Sequence, residues 1–312
     1  MTANRAVVAT AYGEPEVLAL IDVERPVPGP GQVLIEVRAA GINPLDHKLY
    51  GGGFGTDPGK LPMRLGFEVS GVVAELGADQ PAGDLLAVGD AVLSYSVNGG
   101  YAAYVVADRG DVFAKPDSLS FEEASGLLLV GGTAVDLITT TAVTAADTVL
   151  VHGASGSVGS MVVQLAVARG ARVIGTAAPQ RHDEVRALGG EPVAYGPGLA
   201  DRVRAMTDTV DVALDTVGTD EAVDTSIELV ADRNRIATIA AFGRAPELGI
   251  HALAGGGPGA ATRAAARAEL VAAAGRGELK VIVDRTFPLS QARAAHEYLK
   301  SGKAQGKLAL IP

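Results

Sequence analysis

The run Val149-Leu150-Val151-His152-Gly153-Ala154-Ser155-Gly156-Ser157-Val158-Gly159 holds the residue types and spacing best suited to chemistry. An apolar stretch enters a turn with glycine at every third position. An apolar helical pattern (Met161, Val162, Leu165, Ala166) follows it, and then a second apolar run, Ala171 to Thr176. Strand, glycine turn, helix and strand within about 30 residues form the unit that seats a dinucleotide pyrophosphate. Gly153 permits the tight turn, Gly156 lets the backbone approach a phosphate, and Gly159 lets the helix lie against the strand. Ser155, Ser157 and Val158 stand where the turn becomes a helix, whose free N–H groups face anionic charge. The spacing is GxxGxxG rather than GxGxxG, so the strand–helix–strand context carries the reading. A purely structural turn is the alternative.

The second apolar run bears on which nucleotide is held. A site selective for NAD places Asp or Glu about 20 residues past the first glycine, where it accepts from the ribose 2′-hydroxyl. Here the run ends Thr176-Ala177-Ala178-Pro179-Gln180-Arg181-His182, and the first acid is Asp183. A carboxylate repels a 2′-phosphate, whereas the Thr176 hydroxyl and the Arg181 guanidinium can hold one. The expected cofactor is therefore NADPH. The rival reading of Arg181 is a solvated arginine opening a helix.

These residues need elements to position them, and 312 residues suit two domains. With 26 basic and 36 acidic side chains the formal charge is −10, so the mean field repels nucleic acid and anionic membrane. The absence of cysteine removes disulfides, thiolate catalysis and Cys-ligated zinc. The five histidines (His47, His152, His182, His251, His296) are scattered, so no metal site is expected. The beginning of the chain lacks the apolar core of a signal peptide, and no uncharged apolar stretch reaches membrane-spanning length. The expectation is a cytoplasmic enzyme.

The first hundred or so residues read as β-rich. Arg5–Thr10, Val33–Arg38, Val69–Leu76, Ala91–Tyr95 and Tyr101–Val106 are short runs of Val, Ile and Tyr between glycine and proline turns, which suggests a small distorted barrel. From about Ser120 the period changes. Phe121–Gly126 and Ala134–Thr141 suit helices. The strand candidates Val149–His152, Arg172–Thr176, Val193–Tyr195, Val210–Asp215 and Arg235–Ala240 then alternate with helical stretches, implying a parallel doubly wound sheet. Ala260–Ala274 has strong helix propensity. Leu279–Phe287, a helix around Ser290–Ser301 and a last strand Lys307–Ile311 read as a tail rejoining the first domain.

Taken in order, these residues resemble a known family. The marks are Pro26 to Val33, Ala40-Gly41-Ile42-Asn43-Pro44-Leu45-Asp46, Gly66-Phe67-Glu68-Val69-Ser70-Gly71 and Val88-Gly89-Asp90. Gly132-Thr133-Ala134, the glycine turn, Leu214-Asp215-Thr216-Val217-Gly218 and Gly306-Lys307-Leu308 complete them. The chain resembles, nearly end to end, the zinc-free quinone oxidoreductase branch of the medium-chain dehydrogenase/reductase superfamily. The resemblance implies an α/β fold: a GroES-like distorted β-barrel domain (1–118 and 282–312) plus a doubly wound Rossmann dinucleotide-binding domain (119–281). The superfamily's zinc alcohol dehydrogenases place Cys where this chain has Asn43, and Gly-His-Glu where it has Gly66-Phe67-Glu68. Phe67 cannot ligate a metal.

Hydride delivery to a quinone or an α,β-unsaturated carbonyl remains feasible without zinc. The charge spreads toward an oxygen that hydrogen-bond donors can stabilise, and the cofactor supplies the hydride. By similarity, Asn43 would sit beside the nicotinamide; a turn residue before Pro44 is its rival reading. Thr133 resembles a helix-start threonine near the nicotinamide and its phosphate, or is a plain N-cap. Tyr195 matches a tyrosine bordering the adenosine phosphate, or is a buried strand tyrosine. Phe242 shields the nicotinamide pocket or packs in the core. Lys307 reaches the cofactor or merely opens the last strand. Tyr50, read as lying in the glycine-rich loop after Asp46, is a candidate donor to a substrate oxygen. Asp46 resembles a structural acid that fixes that loop, and Gly51–Gly59 reads as a mobile lid.

The leading expectation is thus an NADPH-dependent reductase of small-molecule quinones or enones. The alternatives are an enoyl-thioester or 2-alkenal reductase on the same scaffold, and a catalytically silent NADPH-binding structural or sensor protein. A short-chain carbonyl reductase is discarded, because no tyrosine has lysine four residues on. By family analogy a homodimer is expected, with Arg235–Ala240 as the edge strand joining two sheets.

Overall fold

The structure is a computed structural model that describes residues 4–81 and 83–312. It divides into two compact units, one extending to Leu129 and resuming from Val271 to Pro312, the other Val130–Leu270. The divisions therefore lie inward of the expected 118/119 and 281/282. The segment after Lys115 belongs with the first unit because it bonds there. Ser70 Oγ donates to the Phe121 carbonyl, and Ser118 Oγ to the Gly275 carbonyl at 3.2 Å.

The spine of the first unit is the strand Gln32–Ile42. It pairs antiparallel with Glu68–Leu76, Tyr104–Asp108 and the terminal strand Lys307–Ile311. Gln32–Glu36 meets Tyr104–Asp108 and Ala40–Ile42 meets the terminal strand, while Glu68–Leu76 pairs with Val33–Ala40. The register against Glu68–Leu76 shifts at Leu34/Ile35 and Val37/Ala39, and such bulges bend a strand and increase its twist. Close approach at the bend is possible because Gly71 has no side chain: a Cβ there would lie 2.1 Å from the Glu36 carbonyl oxygen. The sheet continues through Val283–Pro288 beyond the terminal strand, and through Ala91–Tyr95 and Val112–Ala114 on the other side. A second, three-stranded sheet orders Leu18–Val23, Asn4–Ala9 and Met63–Arg64. Between them Ile35, Leu65, Val69, Val92, Leu308 and Leu310 form a core.

Several elements here were not anticipated, among them the strands Leu18–Val23, Met63–Arg64 and Val112–Ala114 and the helix Pro44–Tyr50. The helix was hidden by its own start signal. Asn43-Pro44 reads as a turn, yet Asn43 is an extended N-cap, proline takes the first helical position, and Asp46 Oδ2 accepts the Asn43 N–H at 2.9 Å.

The second unit holds a six-stranded parallel sheet. Its order is Glu191–Ala194, Arg172–Ala177, Thr148–His152, Val212–Asp215, Ile236–Thr238, His251–Ala252. In chain order this is 3-2-1-4-5-6, the doubly wound arrangement whose ligand crevice opens at the carboxyl ends of the first and fourth strands. Val149, Leu150 and Val151 are fully buried, as a strand covered on both faces must be. Ile236–Thr238 is not the edge strand. Ala237 and Thr238 pair with His251 and Ala252, so the two-residue strand His251–Ala252 occupies the edge instead. Its shortness and the glycines after it left it without a sequence signal.

The helix Ser157–Ala168 packs on the first strand of this sheet through Gly159, where a Cβ would lie 2.0 Å from the Gly153 carbonyl oxygen. Gly159→Ala should therefore cost about 1–3 kcal/mol by overpacking. Gly156→Ala, whose added methyl would lie 3.3 Å from that same oxygen rather than 2.0 Å, should cost less than Gly159→Ala. Thermal melts of the two variants check this; equal losses would refute it.

Candidate functional site

The first strand of the parallel sheet, Thr148–His152, delivers the chain to Gly153 at φ +75, where a Cβ would meet Val217 Cγ2 at 2.5 Å. The turn is fastened from the second strand. Gly153 N–H donates to Thr176 Oγ1 and Ala154 N–H to the Thr176 carbonyl, each at 3.0 Å. Gly156 caps the helix from an extended conformation (φ −80, ψ 171), so the N–H groups of Ser157, Val158 and Gly159 precede any helical acceptor. Ser155 is buried beneath them. Three N–H groups without a partner among the described residues, a helix of 12 residues and a cap glycine with no side chain to obstruct approach fit a dinucleotide pyrophosphate.

Thr176 takes a different part from the one expected. Its side chain is buried and accepts from Gly153, so it ties the turn together. Arg181 is not a solvated arginine. It is buried, and Glu184 takes its guanidinium with Nε–Oε2 at 3.0 Å and Nη2–Oε2 at 2.6 Å. Tyr195 is 60% exposed, just past the third strand and one position beyond the paired residues Ala177 and Ala194; the buried alternative falls. Its loop is anchored by Arg202, which donates to the carbonyls of Ala194 (3.0 Å), Gly196 (2.7 Å) and Pro197 (2.8 Å). Glu221 accepts the Gly196 N–H at 2.8 Å.

At the switch point, Asp215 Oδ1 accepts the N–H groups of Val217 and Gly218, while its Oδ2 accepts from Thr238 Oγ1 at 2.6 Å. Thr238 Oγ1 in turn accepts from Ala240 and Ala241 N–H. This buried pair fixes the loops that carry Val217, 47% exposed, and Phe242, 39% exposed, so Phe242 is not a core residue. Neither Asp215–Thr238 nor Arg202 was singled out from the sequence. A carboxylate ending an apolar strand directly before Thr-Val-Gly was the available signal. Thr133 does not start its helix: Leu128–Thr140 begins a turn earlier, leaving Thr133 in the interior.

In the first unit, Asn43 is buried at the N-cap of Pro44–Tyr50. Its Oδ1 accepts from Lys307 Nζ at 2.7 Å, and its Nδ2 makes a long 3.4 Å contact with the Gly41 carbonyl. Lys307 points inward, with the Ile42 carbonyl at 3.4 Å and Glu68 Oε2 at 3.3 Å. The other oxygen of Glu68 accepts the Leu129 N–H at 2.9 Å. Glu68 was quoted in the sequence but given no role, although a carboxylate between Phe67 and Val69 in an apolar strand needs a buried partner.

Tyr50 is not a loop residue. It ends the helix, is fully buried, and its hydroxyl lies 3.0 Å from His296 Nδ1. Burial raises the pKa of Tyr50 and of Tyr101. Tyr101 lies 3.2 Å from His296 Nε2, so the imidazole stands between two buried hydroxyls. A neutral ring donates from one nitrogen and accepts at the other. The Tyr50 hydroxyl is therefore spent inside the barrel and cannot serve a substrate. Asp46 accepts from Asn43 and Gly66 N–H, each at 2.9 Å, and burial raises its pKa to about 6. The Gly51–Gly59 loop is pinned by Tyr12, whose hydroxyl donates to the Asp57 carbonyl at 2.9 Å and accepts the Asp57 N–H at 3.0 Å; Phe54 lies exposed near its middle.

Comparison with known proteins agrees with this architecture. Residues 29–117 match the alcohol dehydrogenase GroES-like domain family and residues 188–310 the zinc-binding dehydrogenase family. The quinone oxidoreductase of Mus musculus is 30% identical over 98% of this chain and 97% of its own. The spectinabilin polyketide synthase system protein NorB of Streptomyces orinoci is 34% identical over 90% of this chain and 13% of its own. Among solved structures, a mycobacterial protein complexed with NADPH is 30% identical, with a TM-score of 0.85 over 99% of this chain and 100% of that one. The fold is that of a medium-chain dehydrogenase/reductase. Within that superfamily the chain belongs to the zinc-free quinone oxidoreductase branch and is a quinone oxidoreductase-like enzyme. Among the described residues no three His, Cys, Asp or Glu side chains cluster to hold a metal, and no helix is long and apolar enough to cross a membrane.

Burial holds His296 neutral, its pKa pushed down to about 4 from 6.5. Its contribution to stability is complete above pH 6.5 and is lost as pH falls toward 4, about 2 kcal/mol by pH 5. Asp46 acts in the opposite sense: its raised pKa stabilises the fold at acid pH and that gain disappears as pH rises through about 6. Thermal melts at pH 7.5 and pH 5 should show a smaller acid loss in His296→Gln than in the unsubstituted protein. An identical loss would contradict the assignment.

Proposed function

We propose that the protein is a zinc-independent, NADPH-dependent oxidoreductase that reduces a quinone or an α,β-unsaturated carbonyl. The observation that carries the reading is the Gly153–Gly159 turn, fastened by Thr176 and presenting three free N–H groups at a helix start. Bound NADPH supplies the hydride. The chain's own residues bind and orient. Ser157, Val158 and Gly159 hold the pyrophosphate, Tyr195 borders the adenosine phosphate, and Phe242 and Thr133 bound the nicotinamide. Asn43 donates to the acceptor oxygen as charge develops there, a role that needs a directed N–H and no Lewis acid. Zinc independence is supported by the donor set: the Asn43 carbonyl is already taken by Lys307, and Phe67 has no lone pair to offer.

NADPH is preferred over NADH on the ground of Arg181, with the qualification that Glu184 shares its guanidinium. A 2′-phosphate must compete with that carboxylate, so the discrimination is real but reduced. The protein works in the cytoplasm as a homodimer, a family expectation that now falls on the edge strand His251–Ala252.

The relationship to a polyketide synthase protein favours one second reading, an enoyl-thioester reductase, since conjugate hydride addition is common to both. A panel of quinones, enones and enoyl-thioesters with NADPH consumption as readout separates them. Tight NADPH binding without turnover of any of them would instead indicate the silent sensor.

Arg181→Ala should weaken NADPH by about 10–100-fold, the worth of a charge-assisted hydrogen bond, and NADH hardly at all. Glu184→Gln should tighten NADPH relative to NADH by freeing the guanidinium. Fluorescence titration with both cofactors measures this, and equal losses for the two in Arg181→Ala would remove the 2′-phosphate assignment.

A further inference from the structure

We infer that Lys307 and Glu68 are positioning residues for the reduction proposed above: together they orient and polarise the Asn43 amide so that its N–H faces the acceptor. The inference rests on that reading of Asn43.

The geometry fixes which way the amide points. An ammonium can only donate, so the Asn43 atom 2.7 Å from Lys307 Nζ must be the carbonyl oxygen. Nδ2 is therefore turned away, and among the described residues it meets the distant Gly41 carbonyl at 3.4 Å. A cation bound at the oxygen draws density from the amide nitrogen and strengthens its N–H as a donor. Burying a cation is tolerable only with a counter-charge and further hydrogen bonds. Glu68 supplies the counter-charge at 3.3 Å, with the Glu68 side chain fully buried and that of Lys307 only 4% exposed.

The cluster is built into the backbone around it. A Cβ on Gly126 would lie 3.0 Å from both Cε and Cγ of Lys307, so glycine leaves the channel that the lysine stem occupies. A Cβ on Gly41 would lie 3.3 Å from Glu68 Oε2 and 2.1 Å from the Ser125 carbonyl oxygen. Glu68 cannot swing toward Asn43 to displace the lysine, because its second oxygen holds the Leu129 N–H. A lysine needed only to open the last strand would not require three acceptors inside the barrel; all of its donors converge on the Asn43 cap and its neighbour.

The test uses the full-length protein, NADPH, and 1,4-benzoquinone as acceptor. Lys307→Met and Glu68→Gln are made together, removing both charges at similar volume, alone and in an Asn43→Ala background. NADPH affinity is followed by fluorescence titration, turnover by NADPH consumption, and folding by thermal melt. If the double variant does not melt cooperatively, Lys307→Gln takes its place, since its amide still donates to Asn43 without charge.

The expected result is NADPH affinity within about 2-fold of wild type, with kcat lowered roughly 10-fold and KM for the quinone little changed. That is a smaller loss than the ~10²–10³-fold for removing a donor outright. In the Asn43→Ala background the charge-removing substitutions should change kcat less than about 2-fold, because the group they act through is gone. Three results would overturn the inference while leaving the proposed activity intact: losses that multiply with Asn43→Ala, a weakened NADPH affinity at unchanged kcat, or a folded variant with wild-type kcat. Wild-type protein that binds NADPH but reduces neither quinone nor enone would overturn the activity and this inference together.

Discussion

A buried ammonium that must find acceptors ties the first unit together. Lys307 opens the last strand of the chain, yet its charge ends between Asn43, Ile42 and Glu68, residues separated from it by more than two hundred positions. Taking such a charge out of water is tolerable only with a counter-ion and further hydrogen bonds. Glu68 provides the first and at the same time accepts the Leu129 N–H. One interaction therefore joins the terminal strand, the cap of the helix Pro44–Tyr50, the strand Glu68–Leu76 and the start of the helix Leu128–Thr140. The return of the tail to the barrel follows from it as much as from strand pairing.

The second unit obeys a different constraint, the avoidance of side chains where backbones meet. Gly153 adopts a left-handed conformation that Val217 and Thr216 would not let another residue share, and Gly159 abuts the Gly153 carbonyl. Thr176 then closes the turn with both its hydroxyl and its carbonyl. The donors at the helix start are left over because no carbonyl precedes them at helical spacing. At the neighbouring strand ends Asp215 and Thr238 do for the Val217 and Phe242 loops what Thr176 does for the glycine turn.

Period and glycine placement made the parallel sheet legible, since strands buried on both faces read as unbroken Val and Leu runs. The barrel was legible as β-rich but not in detail. Its spine is bent by bulges, which break the alternation that would mark a regular strand. In the parallel sheet the edge strand His251–Ala252 is too short to show a period. The site residues divide along the same line. Those whose role belongs to the backbone, Gly153, Gly156 and Gly159, could be located from spacing. Those whose role depends on what lies opposite could not. Thr176 and Arg181 sit in the right stretch of chain, but only the fold shows that one faces Gly153 and the other Glu184. Tyr50 misled because Gly51-Gly52-Gly53 follows it, whereas the helix that buries it is announced by Asn43, Pro44 and Asp46.

The residues standing at the zinc-ligand positions of related alcohol dehydrogenases bear on the kind of acceptor. An asparagine and a phenylalanine can give a directed N–H and an apolar surface, and neither can give Lewis acidity. Stabilising the localised charge of an alkoxide with one neutral donor is far harder than stabilising charge already spread through a conjugated system. The positive charge of the cluster is present, on Lys307, but it is held behind Asn43 and balanced by Glu68, so it reaches a reacting oxygen only through the amide. Under the function proposed above, such an arrangement would suit acceptors that need a modest, well-aimed donor, quinones and enones, better than simple alcohols.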